Sequence, residues 1–197
     1  AFNVVDGGSV FANGGAGVGL ENAGGAITAL TIAENASLTG TVLGVSNTAN
    51  GAVPGTIVNL TIDGTLSGGN VGVYNADGSI TALTVSGKIL SDRTAVSNVR
   101  VSGPTMIDAV TVKSGGQIWG KGISGVTVGI GVANMGSVIG ALTAEAGGYI
   151  EGGSAAGIEG YGVFNCYNAL TPGHIETLTA GGVISGFDGP SPSGIAV

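Results

Sequence analysis

Few side chains in this sequence could do chemistry, and they do not fall into a catalytic pattern. There is one histidine, His174, in "TPGHIET", and one cysteine, Cys166, eight residues before it. A Ser-His-Asp or Cys-His arrangement would need that histidine beside an activated nucleophile, and no G-x-S-x-G context accompanies it. One His and one Cys make no zinc cluster. The G-G-x-G-x-D nonapeptide that binds calcium in some solenoids is absent, and Asp6 in "VVDGG" and Asp63 in "TIDGT" read as turn residues. No catalytic, metal-binding or cofactor-binding residue is therefore assigned. Glycoside cleavage would need two carboxylates about 5–10 Å apart in a sugar groove. Aromatic and acidic residues do gather in one region: Trp119, Tyr149, Glu151 and Tyr161. An aromatic face beside a carboxylate can stack a sugar ring and bond its hydroxyls, so these four are the candidate carbohydrate-binding residues.

The elements that would position them follow from an internal repeat. The phrase Ile-x-x-Leu-Thr-Ile recurs from Ile27, Ile57, Ile80, Ile107, Ile139 and Ile175, with starts 30, 23, 27, 32 and 36 residues apart. Its fifth position is always threonine: Thr31, Thr61, Thr84, Thr111, Thr143 and Thr179. A second apolar anchor follows (Leu38, Leu66, Ile89, Ile118, Ile150, Ile184), with Gly two residues later except at Ser91. Each unit closes on an asparagine: Asn22, Asn47, Asn75, Asn98, Asn134 and Asn165. Fixed short phrases joined by connections of variable length argue against rigid helix-containing repeats. Apolar alternation has strand period, and Gly, Asn, Asp and Ser punctuate every phrase. The pattern predicts a single all-β domain over residues 1–197, a right-handed parallel β-solenoid. About seven coils of three short strands, at ~4.8 Å per rung, make a rod of roughly 30–35 Å. The aliphatic anchors stack inward, the threonines form an outward column, and the asparagines turn in as an amide ladder. Gly supplies the positive φ of the corners. Register also places Glu151 directly over or under Trp119, and Lys113 beside Glu145 as a surface ion pair.

Composition narrows the partners. Gly is 41 of 197 residues, yet 43% of the chain is hydrophobic and the net charge is only −7, so there is a core to bury. Five Lys and Arg against 12 Asp and Glu exclude dense phosphate contacts, hence nucleic acid and anionic membrane surfaces. No run of 18 apolar residues is there to span a bilayer as a helix. The sparse cysteine content and Thr/Ser/Asn/Gly richness suit an extracellular or bacterial-surface setting. A single exposed Thr column is too narrow to match an ice lattice.

Val73-Tyr74-Asn75 with Gly78-Ser79-Ile80-x-x-Leu83-Thr84-Val85-Ser86-Gly87-x-Ile89, and again Gly162-Val163-Phe164-Asn165 with Ile175-x-x-Leu178-Thr179 and Gly182-x-Ile184-Ser185-Gly186, resemble the Gly/Asn/Thr-rich repeats of bacterial autotransporter passenger domains. The resemblance covers residues 4–197. It implies an exported right-handed β-helix displayed at the cell surface for adhesion, aggregation or biofilm, without catalysis, and it offers no catalytic motif to carry over. Its partners would be surface glycans or host cells. The chain opens and closes inside the repeat phrase without a charged cap, so head-to-tail stacking of copies into a filament is the second expectation. A tailspike-like polysaccharide-binding or depolymerising enzyme is the third.

Overall fold

The computed structural model describes residues 1–123, 128–153, 160–166, 171–186 and 193–196, the last as backbone only. Its strands fall into three sheets of seven, and every pairing between named strands is parallel. Sheet A runs from Phe2–Val4 through Ser79–Val85 to His174–Ala180, sheet B from Ser9–Ala12 through Lys88–Ser91 to Val183–Gly186, and sheet C from Val18–Ala23 through Thr94–Val99 to Ser193–Ala196. In each sheet a strand pairs with the strands three before and three after it in the chain, so the chain winds as a three-sided parallel β-solenoid.

One coil shows why these residues do this. In Ser79–Val85, Ile80, Leu83 and Val85 are buried while Thr84 stands half-exposed between two inward neighbours. Ile80 and Leu83 are three residues apart, which strand alternation alone would not allow. Thr81 and Ala82 both turn outward, and Thr81 drops out of the pairing with both neighbouring coils. The Ile-x-x-Leu spacing therefore encodes a bend within sheet A. Leu60, Leu83 and Val110 lie in one vertical file, as do Leu66, Ile89 and Ile118. Each of these side chains is at most 1% exposed, so every coil buries its aliphatic residues against like residues above and below. That removes water from most of each side chain, worth about 1.5–3 kcal/mol for each one fully buried.

The asparagines form the expected ladder. Nδ2 of Asn22 donates to Oδ1 of Asn47 at 2.7 Å, and the chain of bonds continues to Asn75, Asn98, Asn134 and Asn165 at 2.7–2.9 Å. The same Nδ2 of Asn75 also reaches the Gly78 and Met106 carbonyls, tying the amide to the corner of its own coil and the next. The threonines form a continuous file on sheet A, which Asn3 extends into the first coil.

The glycines two residues past the second anchor correct the sequence reading. Gly40, Gly68, Gly120 and Gly152 have no positive φ; a Cβ at these sites would overlap the carbonyl of the residue that opens the next strand, such as Leu43 or Val71. They serve close approach of backbone at a tight corner. Positive φ occurs elsewhere, as at Gly115 and Gly147 in the A-to-B corners.

The corners between sheets C and A alternate in length. Short ones, 24–25, 77–78 and 136–137, are each followed one coil later by a long one, 49–55, 100–105 and 167–173. Bonds link these corners to the coil that follows. Gly24 N and Gly136 N, in short corners, donate to the carbonyls of the strand ends Thr48 and Cys166 at 2.9 and 3.1 Å, and the Thr171 hydroxyl of a long corner donates to Gly136 O at 2.7 Å. At the middle pair Asp77 takes this role. Its carboxylate accepts from the backbone N–H of Val101 at 2.8 Å and of Ser102 at 2.9 Å, and from the Ser102 hydroxyl at 2.7 Å. At this edge the structural repeat is two coils.

Candidate functional site

Sheet B positions the aromatic and acidic residues. Its strands are four residues long, so each coil contributes two outward side chains. In Gln117–Gly120 these are Gln117 and Trp119; in Tyr149–Gly152 they are Tyr149 and Glu151; Ile118 and Ile150 point into the core. Register stacks Gln117 on Tyr149 and Trp119 on Glu151. Gln117 Nε2 donates to Glu151 Oε2 at 2.9 Å, holding the carboxylate beside the indole. Lys121 Nζ stands 5.6 Å from the centroid of the Trp119 ring, within reach of a cation–π contact. Tyr149 is 41% exposed.

Three of the four candidate residues thus share one surface. Tyr161 begins the following sheet C strand, Tyr161–Cys166, and its ring packs on Phe164 with centroids 5.3 Å apart. Glu159, close to it in sequence, lies outside the described residues. The arrangement offers an indole face, a phenol and an oriented carboxylate acceptor. These can stack an apolar ring face and accept hydrogen bonds from hydroxyls.

Beside this surface lies a groove of about 370 Å³ that the sequence reading did not identify. It runs along sheet B and its corner toward sheet C, lined by Thr39, Thr65, Ser67, Leu90, Asp92 and Lys121. Gly40 and Gly68 also line it, next to the two-residue corners 41–42 and 69–70. The Thr39 and Ser67 hydroxyls bond each other at 2.9 Å. Leu90 is in register with Trp119, so the groove runs up to the indole. The lining residues are short and ordinary. The clue in the sequence was the short corner after each second anchor in the second to fourth coils, which opens that edge.

The other candidates are dispersed. His174 is exposed at the start of the last sheet A strand, and Cys166 is half-buried at the end of a sheet C strand. Among the described residues no hydrogen bond joins their side chains. Burial pushes the Cys166 thiol up, away from the thiolate form that nucleophilic chemistry needs. Lys113 Nζ meets Glu145 Oε1 at 2.7 Å as expected, on the surface, where such a pair contributes little. Asp63 accepts a hydrogen bond from the Ser86 hydroxyl. Among the described residues no group of three or more His, Cys, Asp or Glu is placed to hold a metal, and no helix is long and apolar enough to cross a membrane.

Among the described residues, Asp77 is the carboxylate with a strongly altered environment. Burial pushes its carboxyl up, but the bonds from Ser102 and from the backbone of Val101, Ser102 and Gly103 outweigh that and bring it down to about 2. Every one of these donors belongs to the corner it secures, so its role is to hold that corner.

In comparisons with known proteins, the chain matches no family model, no curated protein and no solved structure.

Proposed function

We propose that the chain is a non-catalytic, rigid rod that works outside the cell, as a structural and adhesive element of a bacterial surface. The observation that carries this reading is the unbroken amide ladder from Asn22 to Asn165, buried as far as Asn134 alongside the aliphatic files. Such a ladder couples each coil to the next and resists bending, as a surface spacer must. Passenger-type repeats of this composition supply the biological setting. Folding needs no disulfide, since the single thiol is half-buried and free, and the half-exposed Thr file keeps sheet A wettable.

The test is adhesion of protein-coated beads to bacterial and host cells. The reading expects retention of the beads, with no reducing ends released from a panel of glycans. Release of reducing ends by the parent chain, lost in Glu151→Gln, would replace it with the depolymerase reading.

Head-to-tail stacking is a second reading. Phe2 and Leu178 terminate one inward file and each is 39% exposed, so a coil of another copy, like a further coil of a longer chain, would cover them. Fibres that grow with protein concentration would support it.

A further inference from the structure

The rod's charge is unevenly distributed. All five Lys and Arg lie between Lys88 and Lys121, accompanied only by Asp92 and Asp108. Residues 1–87 and 122–197 each carry five carboxylates and no Lys or Arg. Carboxylates outnumber cations 12 to 5, so pairing every cation would be easy. Yet Lys88, Arg93 and Lys121 are exposed, and among the described residues the ion pair formed is that of Lys113 with Glu145.

One of those three cations lines the sheet B groove and the other two flank it. Lys121 lines it and stands over Trp119. Arg93 follows Asp92, which lines it. Lys88, at the far end of its strand, is in register with the lining residue Thr65 and with Gln117, and also borders a second pocket with Glu34 and Asp63. The groove therefore combines a hydroxyl-rich floor, an indole at one end, Lys121 in its wall, and Arg93 and Lys88 beside it.

We propose that this groove binds a segment of a carboxylate-bearing polysaccharide. The inference rests on the surface-rod reading and names the ligand class that such a rod engages. The hydroxyls of Thr39, Thr65 and Ser67 serve ring hydroxyls, Trp119 serves an apolar ring face, and the three cations serve carboxylates spaced along the polymer. Asp92 is the one carboxylate in the groove; it makes no hydrogen bond among the described residues and is free to accept from a sugar hydroxyl. Asp92 and the acidic flanks of the rod oppose nucleic acid, whose charge is dense and continuous. Sparse carboxylates on a hydroxyl-rich chain fit three cations set in an otherwise acidic surface.

Affinity electrophoresis of the full chain in gels containing polygalacturonate, hyaluronate or neutral dextran tests this. The proposal expects retardation by at least one uronate polymer, none by dextran, and weakening as salt is raised. K88Q/R93Q/K121Q should weaken binding by about tenfold or more. Trp119→Ala should weaken it with an unchanged circular dichroism spectrum, and Lys113→Gln should leave it intact. No retardation by either uronate polymer, or equal retardation of the triple variant, overturns the proposal. So does equal binding of single-stranded DNA, which would mean bare charge attraction. If coated beads still adhere to cells while both uronate polymers fail to bind, the ligand class is wrong and the rod reading stands. If beads fail to adhere while a uronate polymer binds, the reverse holds.

Discussion

Two residues carry sharply different stability consequences. Ser91 occupies the file that runs from Ala12 through Gly40, Gly68, Gly120 and Gly152 to Gly186. It is 3% exposed, and its hydroxyl finds no partner among the described residues. Burying an unpaired hydroxyl costs about 1–3 kcal/mol, whereas glycine in a strand costs roughly 0.5–1 kcal/mol in backbone entropy. Ser91→Gly should therefore stabilise the chain by about 1 kcal/mol in urea unfolding; a loss of stability would show that the hydroxyl is satisfied. Asp77 behaves oppositely. Its folded carboxyl titrates at about 2, below the ordinary aspartate range near 4. A depressed folded pKa gives stability that is present above the unfolded value and lost as pH falls toward the folded one. Unfolding measured against pH should show the parent chain more stable than Asp77→Asn at pH 7, with the gap closing between about pH 4 and pH 2. A gap independent of pH would mean that the charge does not hold the 100–105 corner. Neither role was legible in the sequence, because Ser91 reads as a harmless exception and "NADGS" as any turn.

At the scale of the strand, the files are what the sequence discloses most clearly. Like residues stack on like residues in a solenoid, so the Leu83 and Asn75 files could be read by aligning phrases. Leu83→Ala should cost about 2–5 kcal/mol, since the cavity is walled by Leu60 and Val110 and has little room to collapse. Asn75→Ala removes the acceptor of Asn47 and the donor to Asn98, Gly78 and Met106. It should cost about 2–3 kcal/mol by leaving buried partners unpaired, despite its smaller volume change. If Asn75→Ala proved neutral, the ladder would be ornament. What stayed hidden were the bends. The Ile-x-x-Leu spacing cannot be told from a loose strand until Thr81 is seen to leave the pairing. The close-approach glycines look the same in sequence as turn glycines, because a missing side chain reports neither its φ nor its neighbours.

For the whole molecule, the phrase lengths gave the coil count, while the alternation of short and long corners between sheets C and A needed coordinates. Three consecutive short corners mark the groove's edge in the sequence, but corner length alone does not report the shape above it. The account stands on in-register stacking, and electron–electron distance measurement tests it most directly. Spin labels would be placed in a Cys166→Ser background at Thr31→Cys paired in turn with Thr111→Cys, Thr143→Cys and Thr179→Cys. The stack predicts separations near 14, 19 and 24 Å, rising ~4.8 Å per coil although the chain spacing between coils is unequal. Separations that follow residue number, or broad distributions beyond about 35 Å for the last pair, would contradict the stack and everything built on it.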